Sequence, residues 1–556
     1  NKYTGFHIVI FLFAIMAVAA QAQDYRDLPL DHWAYPILER FETKGWITLP
    51  PNKPFTRVEA LNAIAPLFKI KNEPDSATYD GVTRGVSIIS IEVPVGIPGT
   101  IDRTNFFRFY RELSELNRHH TRPDDVESDM FAFRNTGFPD LALGLDASVT
   151  PTAVASKGNE PKYSARGEID LWGRFRATPA QEFLFDQRLA FIAEKEETKA
   201  RRISSTTQTW RDGKFGIDYS YFRYANPYVS VTAGRRQFWW GQGINGTMLL
   251  STNAPAFDAV SFRAQYKRLG FESFFGILST EQQRYFSGHR GTLRLPWHFT
   301  AGFSEVVVYK AKNIDPVYVN PILPYYGTQW NEREDDNILW NLDLKWTLGH
   351  GFKAWGELLM DDVQYEQNPP APQKLGFLLG AHWADPFKLP DTDLKAEWAG
   401  NQKWVYTQRK YENRYMGSDT LSVIGHWIGT DGDAFDLVLD HRFHPRLNLG
   451  LGYGWRRKGE GRIDRGLHYA GELYTGGYVA PADTANGQYI GDDQRTRFLT
   501  GVVERQDLVS ATLRWEPFFW MRVSGRTWLG YTKNAAQVPG QGRNDAGAEL
   551  SVKLDY

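Results

Sequence analysis

The sequence predicts an all-β protein: a transmembrane antiparallel β-barrel of about 18 strands, preceded by a small N-terminal α-helical periplasmic region. Three observations predict it. From about residue 140 onward apolar and polar residues alternate with a period of two, such segments number eighteen, and the connections between them alternate between short and long. Tight turns at one end and longer loops at the other are the asymmetry of outer-membrane barrels.

The alternation is clearest in three places. Ile169, Leu171, Gly173, Phe175 and Ala177 alternate with Glu168, Asp170, Trp172, Arg174 and Arg176, and Leu342, Leu344 and Trp346 alternate with Asn341, Asp343 and Lys345. In the last segment Ala548, Leu550, Val552, Leu554 and Tyr556 oppose Glu549, Ser551, Lys553 and Asp555, an ending like the C-terminal signal of outer-membrane barrels. The segments begin near residues 141, 166, 183, 215, 228, 259, 271, 289, 299, 338, 352, 374, 392, 432, 447, 506, 520 and 543. With the helical region in the periplasm, an even count returns Tyr556 to the same side. A soluble sandwich or propeller would also alternate, but it needs its apolar face for a core. Here the opposite faces carry several charges each, as suits a water-filled or plugged lumen.

The composition narrows the function classes. Lys plus Arg total 64 against 65 for Asp plus Glu, a net charge near −1 that provides no footprint for nucleic acid. With no cysteine, thiolate catalysis, disulfides and Cys-ligated metals are excluded. The 12 His show no helical i, i+4 pair with a third ligand, so neither metal nor cofactor is expected. Aromatic residues make up 15% of a chain whose mean hydropathy is only −0.46, a combination suited to interfacial girdles.

Residues 1–22 read as a signal peptide. Lys2 precedes the apolar run Ile8 to Ala20, and Ala20-Gln21-Ala22 supplies a small-x-small cleavage site; a retained anchor is the alternative. Residues 23–125 read as the helical periplasmic region and 126–556 as the barrel. Trp33, Ile37, Leu38 and Phe41 fall at helical spacing before Gly45, Thr56 and Glu59 have capping-box spacing, and Phe106, Phe109, Tyr110, Leu113 and Leu116 suggest a third helix.

Chemical motifs are sparse. Gly241-Gln242-Gly243-Ile244-Asn245-Gly246 has the spacing of a dinucleotide-binding turn but neither the preceding strand nor the βαβ unit, so a sharply turning loop is the default. Glu357 with Asp361-Asp362 offers paired acids of the glycosidase kind, yet charged residues are commonplace in a barrel lumen. There is no Gly-x-Ser-x-Gly elbow. The chain therefore reads as a non-enzyme.

Several stretches together resemble the capsule assembly protein (Wzi) family of outer-membrane lectins. They are Gly234-Arg235-Arg236-Gln237-Phe238-Trp239-Trp240-Gly241-Gln242-Gly243 with Leu249-Leu250-Ser251-Thr252-Asn253-Ala254-Pro255, then Tyr318-Val319-Asn320-Pro321, and Asn337-Ile338-Leu339-Trp340 with Leu342-Asp343-Leu344. Gly356-Glu357-Leu358-Leu359-Met360-Asp361-Asp362 and Gly425-His426-Trp427-Ile428-Gly429-Thr430-Asp431 complete the set. The resemblance implies an outer-membrane barrel that helps attach or assemble capsular polysaccharide at the cell surface without an enzymatic step. It implies capsular or extracellular polysaccharide, outer-membrane lipid and the barrel assembly machinery as partners. Asp31-His32-Trp33-Ala34-Tyr35 with Thr56-Arg57-Val58-Glu59-Ala60 resembles one S-layer homology repeat, which implies either a cell-wall polymer as partner or a helical hairpin packed under the barrel mouth.

Sugar binding needs aromatic faces and planar polar groups on rigid elements. Trp239, Trp240, Asn245 and Asn253 supply them in one long loop, and Asn320, Tyr325, Tyr326, Gln329 and Trp330 in another, with Arg235 and Arg236 nearby for an acidic polymer. The same aromatics could instead pack the loops together or mark the membrane interface. An outer-membrane porin for small solutes is the alternative function.

Overall fold

The computed structural model describes residues 24–67, 69–79, 82–92, 101–102, 105, 131–134, 140–178, 180–194, 208–210, 213–332, 336–362, 373–408, 410–418, 422–463, 498–518 and 520–555. Eighteen antiparallel strands close into a barrel. They are β1 (Asp140–Ser156), β2 (Lys162–Thr178), β3 (Gln181–Glu194), β4 (Gly213–Ala225), β5 (Val229–Arg236) and β6 (Phe257–Tyr266). Next come β7 (Leu269–Ser279), β8 (Arg284–Arg294), β9 (Phe299–Lys310), β10 (Asn337–Gly349), β11 (Phe352–Asp362) and β12 (Lys374–Ala384). The last six are β13 (Thr392–Asn401), β14 (Gly432–His444), β15 (Leu447–Lys458), β16 (Glu504–Phe518), β17 (Met521–Lys533) and β18 (Gly542–Asp555). Closure is made by β18 on β1, with Ser551 opposite Thr152. Two short strands, Phe131–Arg134 and Gln208–Trp210, pair beside β1 and β4 without interrupting the wall. All eighteen predicted starts fall within five residues of an observed start, the largest offset being 289 against Arg284.

The wall forms because alternation lets each strand give one face to hydrocarbon and one to the lumen, while closure leaves no unpaired edge in lipid. Ile169, Phe175, Phe222, Leu342 and Leu550 are exposed on the outside. In β18, Glu549 lies opposite Arg526 and Lys553 opposite Arg522 on the lumen face, while Leu550, Val552 and Leu554 share the outer one. Stacked rings near the short turns, Phe299 on Trp346 at 5.0 Å and Phe518 on Trp520 at 5.0 Å, form part of the inner aromatic girdle. Among the described residues no helix is long and apolar enough to cross a membrane, so the crossing is made by strands.

Residues 24–67 fold into a small unit around Leu28, Leu38, Phe41, Phe55 and Ile64. It contains helices α1 (Ala34–Thr43) and α2 (Arg57–Ile64). The capping box forms at α2: the Thr56 hydroxyl accepts from the Glu59 N–H, and the Glu59 carboxylate accepts from the Thr56 N–H at 2.8 Å. The unit packs against lumen-facing side chains at the short-turn end. Arg223 holds Asp27 at 2.9 Å, Arg263 holds Glu59 at 3.0 Å, and the Arg26 guanidinium lies 3.8 Å over the Trp172 ring. The region is not helical throughout: Lys69–Tyr79 and Val82–Glu92 pair as a β-hairpin. The run Val86, Ile88, Ile89 and Ile91 explains this, since β-branched residues lose rotamer freedom in a helix and pack well on a pleated strand. The signal peptide over residues 1–22, the third helix expected over 106–116 and Tyr556 lie outside the described residues.

The docked unit carries a pH dependence. Burial alone would raise the Glu42 carboxyl, but the Lys345 and Lys353 ammonium groups, at 2.7 and 3.1 Å, hold it down at about 2. A carboxylate with a folded value below its unfolded one contributes stability that is complete above pH ~4.5 and is lost as pH falls towards ~2. Protease cutting within residues 24–67 should therefore increase across that window in the wild type. In Glu42→Gln, cutting should already be elevated at pH 7 and should lose much of that dependence, because two buried ammonium groups are left without their counter-ion.

Candidate functional site

The Gly-rich loop between β5 and β6, residues 237–256, folds into the barrel, where two carboxylates from the opposite wall receive it. Glu357 on β11 accepts the N–H groups of Gln242 at 2.7 Å, Gly243 at 3.0 Å and Met248 at 2.9 Å. Glu397 on β13 accepts those of Ile244 at 2.7 Å and Asn245 at 3.0 Å, and the Trp355 indole at 3.0 Å. Successive backbone N–H groups make an anion cradle, and the anions here are the chain's own side chains. The glycines are dictated by that approach. Gly241 has φ +138°, and a Cβ there would strike the Glu357 carboxylate; a Cβ on Gly243 would strike the Gly246 carbonyl. The Gln242 amide adds a bond to Asp343 at 2.8 Å, and Asp343 is gripped by Arg290 at 2.5 Å.

The loop between β13 and β14, residues 402–431, closes over the first. Ser251 donates its N–H to the Ile424 carbonyl and its hydroxyl to Gly425 at 2.8 Å, the Asn253 amide donates to the Val423 carbonyl at 2.8 Å, and the Tyr406 hydroxyl donates to the Met248 carbonyl. The Arg284 guanidinium collects the carbonyls of Glu412, Arg414, Met416 and Gly417. His426 is buried beside Gly246, and burial pushes its imidazole down to about 3, so it stays neutral. A continuous apolar cluster containing Trp240, Met248, Leu250, Phe274, Phe286 and Tyr406 joins the two loops to the wall.

This arrangement redistributes the residues singled out in the sequence. Trp239 and Trp240 lie inside the barrel: Trp240 is 0% exposed with its indole donating to Glu272 at 3.0 Å, and Trp239 is 8% exposed with its backbone paired to Lys53. Neither offers a free ring face, because the loop that carries them turns inward. Arg236 faces the lumen, buried against the Phe238 ring and 3.5 Å from Asp27. Arg235 faces outward and pairs with Asp258 at 2.7 Å. Tyr325 is buried and Tyr326 half-buried on the outer wall, away from the other candidates. Only the backbone of Trp330 is described, as part of a helix. Asn253 is half-buried in the loop junction.

Asn245 alone of the first loop's candidates is exposed, its amide 3.3 Å from Asp436 on β14. Beside Asp436 on β15 stands Arg456, whose guanidinium lies 4.6 Å over the half-buried Trp427 ring, and Arg526 on β17 lies within electrostatic range. Asp436, Arg456 and Trp427 were missed as site residues. The signal for Trp427 was present in the Gly425–Asp431 stretch, but nothing local to the chain joins it to Asn245. Glu357 stood out as an acid, yet its partners are backbone amides about a hundred positions away, which no spacing reveals. Among the described residues no group of three or more His, Asp or Glu is arranged to hold a metal.

A closed eighteen-stranded wall of alternating residues, with loops and a helical unit packed into its lumen, defines a plugged barrel of the outer-membrane class. The chain belongs to the family of the capsule assembly protein Wzi, whose model matches residues 148–546. Among solved structures it is similar to Wzi of Escherichia coli, described as a carbohydrate-binding β-barrel involved in group 1 capsule assembly. The two share 12% identity at a TM-score of 0.56, covering 96% of this chain and 99% of that one. OprD and OccK5 of Pseudomonas aeruginosa align at TM-scores of 0.43 and 0.40 with 8% and 9% identity, each over 74% of this chain and over 94% and 97% of theirs. No curated protein sequence matches the chain.

Proposed function

We propose that this outer-membrane barrel binds capsular polysaccharide and helps hold or assemble the capsule at the cell surface, without catalysing a reaction. Family membership supports the role. The observation that carries the site is Asn245, an exposed amide on a loop fixed by five backbone N–H bonds, beside Asp436, Arg456 and Trp427. A planar amide, a carboxylate, a guanidinium and an aromatic ring on rigid supports are the groups that pair with hydroxyls and C–H faces. The two inserted loops argue against the alternative of a wide solute channel along this wall.

Polymer retention tests the reading. Removing one stacking and one amide contact, each worth ~1 kcal/mol, should weaken binding of an oligosaccharide fragment roughly tenfold or more. Avidity along a polymer enlarges the effect at the cell surface. Cells carrying Asn245→Ala/Trp427→Ala at wild-type barrel levels should release most of their polysaccharide into the medium without reduced synthesis. Equal retention in that variant would remove these residues from the site, and equal retention in a strain lacking the protein would remove the capsule role.

A further inference from the structure

Residues 311–332, in the connection between β9 and β10, do not enter the barrel and do not stand above it; they lie down on the outer wall. On the outward face of β9, Phe303 is 47% exposed, whereas Glu305, Val307 and Tyr309 immediately above it are buried. On β10 the same change occurs between Leu342, exposed, and Ile338, buried. The cover is segment 311–332, which carries short helices at Pro316–Val319 and Tyr325–Glu332. Tyr318 and Tyr325 pack on Tyr309 and His289, with ring centroids 4.6 Å apart in both pairs.

Beneath the cover is a polar row that lipid could not tolerate. Ser273, His289, Glu305 and Trp340 are register neighbours across β7 to β10, all on the outward face. Glu305 receives the N–H groups of Tyr325 at 2.9 Å and Tyr326 at 3.0 Å, the Trp340 indole at 2.9 Å and the His289 ring at 3.0 Å. The outer wall from the Phe299 and Trp346 girdle up to Tyr309 rises by ten residue steps along β9. At ~2.5 Å of height per residue for a tilted strand, that equals the ~25 Å apolar band of such barrels. Glu305 is four residues below Tyr309, so the segment that satisfies it reaches ~10 Å down into that band. A carboxylate facing hydrocarbon at that depth would be strongly destabilising, and the segment removes the exposure by covering Glu305 and adding two backbone N–H donors to those of Trp340 and His289.

We propose that residues 311–332 form a lateral shelf embedded in the outer leaflet, with Ile314, Val319, Ile322 and Leu323 as its contacts with lipid hydrocarbon. These four are exposed, Ile322 at 82%, whereas Tyr318 and Tyr325 of the same segment are buried against the wall. Phe303 and Leu342, on the outward face of the wall below, are exposed as well. The shelf thus replaces lipid over the polar row and presents apolar side chains in its place.

The chain has no cysteine, so single-site labelling is unambiguous. Nitroxide labels on Ile322→Cys and Leu323→Cys are compared, in full-length protein reconstituted in phospholipid vesicles, with Phe303→Cys on the lipid-facing wall and Gln282→Cys in an exposed outer turn. The shelf labels should match Phe303→Cys: collision with oxygen should be several-fold favoured over collision with a water-soluble nickel chelate. Accessibility like that of Gln282→Cys would overturn the shelf as a lipid contact. Dipolar broadening between Ile322→Cys labels would overturn it too, since it would put a second copy of the chain where lipid is proposed.

Discussion

Glu357→Ala/Glu397→Ala should release the turn of the inserted loop at residues 243–247 and give the barrel larger and more frequent openings in planar-bilayer recordings than the wild type. Removing both carboxylates leaves five backbone N–H groups and the Trp355 indole without their acceptors. An unsatisfied buried donor costs ~1–3 kcal/mol, so even with strong non-additivity the loop loses on the order of 5 kcal/mol of its anchorage. The remaining ties, Gln242 to Asp343, Trp239 to Lys53, Trp240 to Glu272, and Met248, Ser251 and Asn253 to the second loop, lie mostly on either side of residues 243–247, so the entropy of ordering favours release at that turn. The wall should survive, because closure of β18 on β1 involves neither residue. Glu357→Gln alone should have a smaller effect, since its amide oxygen still accepts. Wild-type conductance in the double variant, with the loop still protected from protease, would show that the loop is held by its apolar contacts instead.

Arg40→Met should undock the helical unit while leaving the barrel intact. Arg40 is fully buried on α1 and meets Asp102 at 2.9 Å, Asp393 at 2.8 Å and Asp385 at 2.5 Å, with a further bond to the Thr392 carbonyl at 3.0 Å. Asp393 and Asp385 belong to the wall and its short turn, so one guanidinium ties the unit to both. Breaking a buried network by removing one partner typically costs ~3–5 kcal/mol, and the lower end applies here because each acid keeps one other cation. Lys44 still reaches Asp102 and Asp385, but Asp393 keeps only wall partners, Arg442 at 2.5 Å among them, and so no longer ties the unit to β13. Hydrogen exchange across α1 should accelerate at least a hundredfold in Arg40→Met while amides in β10 to β14 keep their protection. Arg40→Lys should fall between, since an ammonium cannot reproduce the planar fork that spans three carboxylates. Unchanged exchange in Arg40→Met would mean that the apolar core of the unit and its other ion pairs suffice.

Both experiments probe what the chain does not reveal locally. The barrel itself was legible. Alternation at Glu168–Ala177 or Asn341–Trp346 is a property of neighbouring residues, and so are the short turns and the capping box of Thr56 and Glu59. Local chain chemistry therefore determined the strands, their number, their starts to within a few residues and the face each side chain takes. It misjudged the stretch after α2, where a β-branched run makes a hairpin.

The long loops were legible only as loops. Whether Trp239 and Trp240 face sugar or a core depends on Glu357 and Glu397, which sit on strands whose position beside the loop exists only once the wall has closed. The Gly241–Gly246 turn carries the signature of an anion cradle in its own residues, but the identity of the anion is a tertiary matter. So is the direction of segment 311–332, drawn outward by a carboxylate on β9 that would otherwise face lipid. The sequence by itself determined the barrel, because period and turn chemistry act over a few residues. Only the tertiary structure decided which loops fill the lumen and which side chains remain to meet a ligand, because those choices rest on pairing buried charges with amides contributed from far along the chain.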